Sequence, residues 1–252
     1  MGLKDLFKKK EENITVTQVE RKSIFDTDYP MDKGNWKHVF SACLGQSVVT
    51  QDALAEFVVK DRNWFVDFSK GTLNFGNDAY PVQFIGSESS HSDTWMWGWN
   101  NINGFDESII KLAHEVYDIG EDFNLEPLIT KTFPLTDEIY GHTLAIVACG
   151  VLGVGYIRGW FDSASDSTAM LAVSGLPQEV FAPIDMQRFI STTMECIQQF
   201  ELDHKIFVES LLMWNGTAYE CTGNKVVAHF AQDLMITFEQ GGEIVRITDI
   251  KT

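Results

Sequence analysis

The chain has 252 residues, of which 19 are Lys or Arg and 36 are Asp or Glu, so its formal net charge is −17 at pH 7. Residues 1–10 contain four lysines and one aspartate, which leaves 15 basic and 35 acidic residues, a net charge of −20, on the rest of the chain. Such a body repels nucleic-acid phosphates and anionic lipid, so the sequence predicts neither a nucleic-acid-binding nor a membrane-binding protein. It would attract a basic protein partner.

Composition and cysteine spacing predict a globular protein of the cytoplasm. Hydrophobic residues make up 44% of the chain and charged residues 22%, as in ordinary globular domains. No apolar run approaches the length of a transmembrane helix, so no integral membrane association is predicted. Cys43, Cys149, Cys196 and Cys221 lie far apart and form no CxxC pair or metal-ligand spacing. Free thiols in a reducing compartment are the expected consequence.

The first elements predicted along the chain are a leader, a long helix and an antiparallel sheet. Residues 1–34 have the composition of a basic leader and a polar linker. Asn35 is a predicted N-cap for an amphipathic helix to about Lys60, because apolar residues up to Phe57 and Val58 recur at helical spacing. Four β-type runs follow, and short turns between them predict antiparallel strands. These runs cover residues 64–68, 72–75, 80–87 and 92–100.

Two further helices are predicted in the central part of the chain. Residues 106–119 have helical apolar spacing, with Asp106 as the N-cap and Gly120 at the end. Thr136 is a predicted N-cap for a helix through Leu152 that is apolar nearly all round and is therefore expected to be buried. The remaining elements of this part are predicted strands at 128–133, 156–161 and 168–173 and a turn at 162–166.

The pattern breaks between Leu176 and Pro183, which is the predicted domain boundary. Beyond it the sequence predicts a long helix, or a helix broken near residues 202–203, and a three-stranded meander with a hairpin turn at residues 241–242. The predicted domains are residues 1–34, 35–176 and 184–252. The predicted fold class is α+β, with antiparallel β-meanders packed against long amphipathic helices. One possible organisation of this fold is a chain of two similar halves.

The sequence offers little catalytic chemistry. The glycines of residues 150–155 follow an apolar helix and are interpreted as its C-cap rather than as a phosphate loop. His114, Asp118 and Asp122 share one helix face, where a solvated polar surface is favoured over a divalent-cation site. His204 is predicted to be a buried histidine with its hydrogen bonds satisfied. We therefore predict no catalytic residue, no metal and no cofactor, and the sequence favours a protein that is not an enzyme.

The most informative local pattern is the run Thr94 to Asn100, which holds three tryptophans at strict alternation. In a β-strand all three indoles would point to one face. A stabilising aromatic ladder in the core is the favoured interpretation, and the floor of a ligand cleft is the alternative. In the cleft interpretation Trp97 and Trp99 would stack against a planar or sugar-like ligand, while Gln83 and Asn100 would orient it.

The same region carries a resemblance. Residues 82–87, Val-Gln-Phe-Ile-Gly-Ser, followed by residues 94–100, Thr-Trp-Met-Trp-Gly-Trp-Asn, resemble the core of an uncharacterised bacterial domain family of unknown function. The similarity extends over about residues 36–175. The resemblance brings no activity, ligand or site residue to this chain.

Three classes of function stay open at this point. The charge and the lack of catalytic motifs favour an acidic protein-binding module, immunity-like or inhibitor-like, with a basic protein partner. A small-ligand-binding protein or enzyme that uses an aromatic cleft beside the tryptophan strand is the second. A structural subunit of an assembly is the third, and the sequence does not fix the oligomeric state.

Overall fold

The computed structural model describes residues 23–160, 166–242 and 244–252. The predicted basic leader falls for the most part on residues 1–22, and the predicted turn at 162–166 falls almost wholly on residues 161–165. These parts of the two predicted segments lie outside the described residues.

The described residues form an α+β fold with antiparallel sheets, which confirms the predicted class. The helices are α1 (Trp36–Ala53), α2 (Glu107–Phe123), α3 (Glu126–Ile129), α4 (Gly141–Leu152), α5 (Met186–Gln199) and α6 (His204–Asn215). The strands of the first sheet are β1 (Trp64–Asp67), β2 (Thr72–Phe75), β3 (Asp78–Ser89), β4 (Thr94–Trp97), β5 (Thr132–Pro134), β6 (Gly155–Trp160) and β7 (Ser167–Val173). The strands of the second sheet are β8 (Tyr219–Thr222), β9 (Lys225–His229), β10 (Asp233–Gly241) and β11 (Ile244–Lys251).

Helix α1 runs through the core. The Asn35 side chain accepts a hydrogen bond from the His38 N–H, so the predicted N-cap is confirmed. The helix is buried around most of its circumference, and the Gln46 side chain donates a hydrogen bond to the Gly150 carbonyl at 2.8 Å. On another face Gly45 allows α6 to approach so closely that a Cβ there would lie 3.1 Å from both Phe207 and Leu211. Glycine at this position therefore sets the distance between α1 and α6.

Beyond Ala53 the helix changes its winding. Residues Leu54–Val59 form a π-helix, and the Lys60 N–H donates to the Ala55 carbonyl five residues earlier. The sequence predicted a regular α-helix to Lys60 with Phe57 and Val58 both in the buried stripe. Because the π-turn inserts an extra residue, Val58 is fully buried whereas Phe57 is 44% exposed.

The first sheet is organised around the long strand β3. It pairs in antiparallel fashion with β2, β4 and β7, and β7 pairs in turn with β6. The second sheet is a simple meander in the order β11-β10-β9-β8. The sequence predicted three of its strands and missed β8, a short edge strand whose burial alternates only between half-buried and exposed. Since the two sheets differ in strand number and connection, the arrangement of two similar halves is not confirmed.

Two predicted helix boundaries differ in the structure. Helix α2 continues past Gly120 to end at Asn124, which has a positive φ of 53°, because Gly120 serves packing: a Cβ there would lie 2.6 Å from Leu128. Helix α4 begins at Gly141 rather than after Thr136, and the Gly141 N–H donates to Glu88 Oε2 at 3.0 Å. Likewise, the predicted strand at 128–133 is divided between α3 and β5.

The main apolar cluster contains residues from both sides of the predicted boundary at residues 176–183. It includes buried residues of the first sheet and of α4, such as Trp97 and Leu144, together with Phe207 of α6 and Phe238 of β10. Helix α1 contributes Leu44 to the same cluster. Among the described helices, none is both long and apolar enough to cross a lipid bilayer.

Candidate functional site

The tryptophan run does not form one continuous strand. Strand β4 ends at Trp97, and residues Gly98–Asn100 form a 3₁₀ turn closed by the left-handed residue Asn101. A Cβ at Gly98 would lie 2.6 Å from the Phe84 carbonyl oxygen, so only glycine allows this close approach to β3. The prediction that all three indoles share one strand face is therefore wrong for Trp99.

The indoles that remain on β4 lie in the core. Trp95 and Trp97 are 0% and 1% exposed, and their rings meet edge to face with centroids 5.1 Å apart. The Trp97 Nε1–H donates to the Pro127 carbonyl at 2.8 Å, so this indole is fixed against α3. These contacts favour the interpretation of the two residues as a stabilising aromatic ladder in the core, and not as the floor of a ligand cleft.

The other three residues proposed for the cleft contact helix α2 or lie beside it. Gln83 Oε1 accepts a hydrogen bond from the Leu112 N–H at 2.7 Å. Trp99 packs edge to face on Tyr117 with ring centroids 4.9 Å apart, and Asn100 is half-buried next to it. Neither these residues nor Trp97 line the groove described below.

The other polar residues singled out in the sequence have ordinary surroundings. His204 Nδ1 accepts a hydrogen bond from the Ile247 N–H at 3.0 Å, which confirms a satisfied buried histidine. Burial, aided by the charge of Arg246, lowers the pKa of His204. Gly153, at φ 66°, ends α4, so the C-cap interpretation of residues 150–155 is confirmed. In the part of the chain that the structure describes, no three His, Cys, Asp or Glu side chains are grouped to hold a metal ion.

A buried carboxylate that the sequence did not indicate lies on α6. Glu209 is fully buried, accepts a hydrogen bond from the Tyr29 N–H at 2.9 Å and lies 3.4 Å from the Cys221 thiol. Burial raises the pKa of Glu209, while these hydrogen bonds and the charge of Lys205 oppose the shift. Glu209 thus ties residues 23–31 and β8 to α6.

We expect the ionisation of Glu209 to make folding less favourable as pH rises. Because its pKa is higher in the folded state, its contribution to stability is full below the pKa of an unfolded glutamate, about 4.3, and is lost as pH rises through the folded value. Glu209→Gln cannot ionise. Urea denaturation from about pH 4 to about pH 8 should therefore show the unfolding free energy of the wild type falling relative to that of E209Q. Parallel pH profiles of the wild type and E209Q would contradict this.

The strongest candidate site is an open groove where the π-helix meets the start of α5. It has a volume of about 540 Å³. Its lining is formed by the last turns of α1, the π-helix, and the segment that joins the 3₁₀ turn Gln178–Phe181 to α5. The apolar lining residues are Val49, Ala53, Phe57, Ala182, Pro183 and Ile184. Charged residues complete the lining: Asp52, Glu56, Glu179 and Arg188.

Electrostatics make the groove acidic. Arg188 is the one cation among its lining residues, and it forms an ion pair with Asp52. Burial raises the pKa of Asp52, with Arg188 opposing the shift and Glu195 adding to it. Glu56 and Glu179 have no counter-charge within the lining, so the groove has a formal net charge of −2. Apolar surface beside uncompensated carboxylates is suited to a ligand that is both apolar and basic.

Sequence reasoning missed this groove because its parts are far apart in the chain. Residues 49–57 and 179–188 meet only through packing, and the exposure of Phe57 depends on the π-helix. Its spacing alone predicts Phe57 to be in the buried stripe of a regular helix. No local motif in the sequence marks these residues as a site.

Comparison with known proteins identifies one family. The model of a family described as "Family of unknown function (DUF6882)" matches residues 37–176, more than half of the chain. The match confirms the predicted resemblance to a family of unknown function, which was expected over about residues 36–175. No curated protein and no solved structure matches the chain.

Proposed function

The chain belongs to the DUF6882 family of unknown function, and from the features of its surface we propose that it is an acidic protein-binding module for a basic partner. The partner contributes an amphipathic segment whose apolar side chains occupy the groove beside Phe57 and whose Lys or Arg side chains meet Glu56 and Glu179. An immunity-like or inhibitor-like protein of the cytoplasm fits this role.

The observation that carries the proposal is the exposure of Phe57 in an acidic groove. A large aromatic side chain that is 44% exposed beside a cavity of about 540 Å³ is a typical anchor point of an interface. The whole chain is also strongly acidic, at −17, which steers a basic partner over a longer range than any single contact. Cys43, Cys149 and Cys196 are free and buried, which supports a reducing compartment.

A site-specific photo-crosslinking experiment tests the proposal. A photoreactive phenylalanine analogue is placed at Phe57, in the groove, or at Phe65, which is 61% exposed on β1 and serves as the matched control. We expect a basic protein from the native cells to crosslink at position 57 and not at position 65. The yield should fall roughly tenfold between about 50 mM and 500 mM salt, because the attraction between exposed charges is screened.

Charge reversal separates the groove from the overall charge. Glu56→Lys with Glu179→Lys should reduce crosslinking at position 57 by about tenfold or more, because two carboxylates next to the anchor become repulsive. Glu239→Lys on β10 changes the net charge at an exposed site outside the groove and should have a small effect. Equal crosslinking at positions 57 and 65, or a yield insensitive to salt and to the groove variants, would refute the proposal.

A further inference from the structure

A second cavity lies at the opposite end of helix α1. It is lined by the first turns of α1, the end of α5 and the segment before α4, and its volume is about 310 Å³. Trp36 in this cavity and Asp52 in the groove are about 24 Å apart along the axis of α1, at 1.5 Å per residue, so the two cavities are separate. This cavity, the aromatic pocket, is lined by Trp36, Lys37, Phe40, Asp137, Glu138, Tyr140, Thr143, Gln199, Phe200 and Glu201.

Aromatic rings form much of the wall of the aromatic pocket. Trp36 stacks on Phe40 with ring centroids 6.4 Å apart and planes inclined by 14°. Phe200 meets Phe40 edge to face with centroids 5.5 Å apart. Tyr140 comes from the segment before α4. Such rings carry negative potential on their faces and attract cations, with indole the strongest.

Carboxylates add to the attraction for a cation. Asp137, Glu138 and Glu201 line the pocket, and Lys37 is the one cation in the lining. Lys37 Nζ lies 3.1 Å from Glu201 Oε1, so its charge is directed to that residue. The formal net charge of the lining is −2, and Asp137 and Glu138 have no cationic partner within it.

The geometry points to a guanidinium group on an alkyl chain as the ligand of the aromatic pocket. A guanidinium is planar and weakly hydrated, so it stacks on an indole, and its fork of N–H donors fits a carboxylate. A quaternary ammonium would use the rings but would leave the carboxylates without a donor. A primary ammonium is compact and strongly hydrated, so it gains less from the aromatic walls. This inference does not depend on the groove or its partner.

Binding of small probes to the full chain tests the assignment. The indole N–H signal of Trp36, assigned by its loss in Trp36→Phe, is followed by NMR during titration with N-acetyl-arginine amide. The citrulline analogue has nearly the same shape without the charge, and we expect it to bind at least tenfold more weakly. The lysine analogue and tetramethylammonium should also bind more weakly than the arginine compound. Comparison of free L-arginine with an arginine-containing tripeptide shows whether a metabolite or a protein side chain is preferred, and either preference fits the proposal.

Pocket variants supply the matched controls. Asp137→Asn with Glu138→Gln changes exposed side chains, so the fold should be retained while affinity for the arginine compound falls roughly tenfold. Asp122→Asn removes one exposed charge outside the pocket and should leave affinity unchanged. Trp36→Leu, checked for folding by its thermal transition, should abolish saturable binding.

Three results would overturn the assignment. The first is a Trp36 signal that does not shift saturably with the arginine compound. The second is equal binding of the citrulline analogue or of tetramethylammonium, which would show that charge or guanidinium shape is not recognised. The third is unchanged affinity in the doubly substituted carboxylate variant. None of these results bears on crosslinking at Phe57. The guanidinium assignment can therefore be refuted without refuting the protein-binding role proposed for the groove.

Discussion

Replacement of Trp97 with alanine is expected to lower the free energy of unfolding by about 3–5 kcal/mol, close to the whole stability of a marginal domain. The side chain is 1% exposed and packs on Trp95, so its removal leaves a cavity that the close-packed surroundings cannot fill. It also leaves the Pro127 carbonyl without its donor. Urea denaturation followed by circular dichroism measures the loss.

Two control variants divide this loss into its parts. Trp97→Phe keeps most of the apolar volume and removes the indole donor, so it should cost less than the alanine variant. Phe65→Ala removes a ring that is 61% exposed on β1 and should change the unfolding free energy by about 0.5 kcal/mol or less. If Trp97→Ala were as stable as Phe65→Ala, the core role of Trp97 would be wrong and the cleft interpretation would regain support.

Replacement of Asp203 with alanine is expected to cost about 3 kcal/mol of unfolding free energy, the second large effect. This carboxylate is 1% exposed. Its Oδ1 accepts hydrogen bonds from the Lys205 and Ile206 N–H groups, both at 3.0 Å, and its Oδ2 accepts one from the Val245 N–H at 2.9 Å. Alanine would therefore remove the N-cap of α6. It would also leave the buried Val245 N–H of β11 without an acceptor.

A matched cap on the neighbouring helix isolates the buried contribution. Asp185 caps α5 by accepting from the Arg188 N–H at 2.8 Å, but it is exposed and has no bond to a strand. Asp185→Ala should cost only about 1 kcal/mol, the usual value for a cap. Equal losses in the two variants, measured by urea denaturation, would contradict the role assigned to the bond with Val245.

The sequence predicted those elements whose signals are local. Asn35 caps α1 because its side chain accepts a hydrogen bond from the N–H three residues later. Gly153 ends α4 because glycine readily adopts the left-handed conformation of a helix C-cap. The antiparallel hairpins followed from the turn residues between short apolar runs. Each of these caps and turns depends on a few neighbouring residues, so it can be predicted from the local sequence.

Features that depend on distant residues could not be predicted in this way. The sequence predicted a helix end at Gly120. The helix continues, and glycine is needed at this position because Leu128 packs too closely for a side chain there. Trp99 followed the alternation of a strand, but Gly98 lets the chain turn against β3. The groove at Phe57 and the aromatic pocket at Trp36 each combine residues more than 100 positions apart, which no spacing rule connects.

The close approach at Gly45 has a consequence for the family. Residues 37–176, which the family model matches, include α1 but not α6, and α6 covers the face of α1 on which Gly45 lies. A family member made of the matched segment alone would expose that face to water. In such a protein a side chain at the position of Gly45 would meet neither Phe207 nor Leu211. A residue larger than glycine at this position in a relative would therefore be incompatible with a helix packed as closely as α6 is packed here.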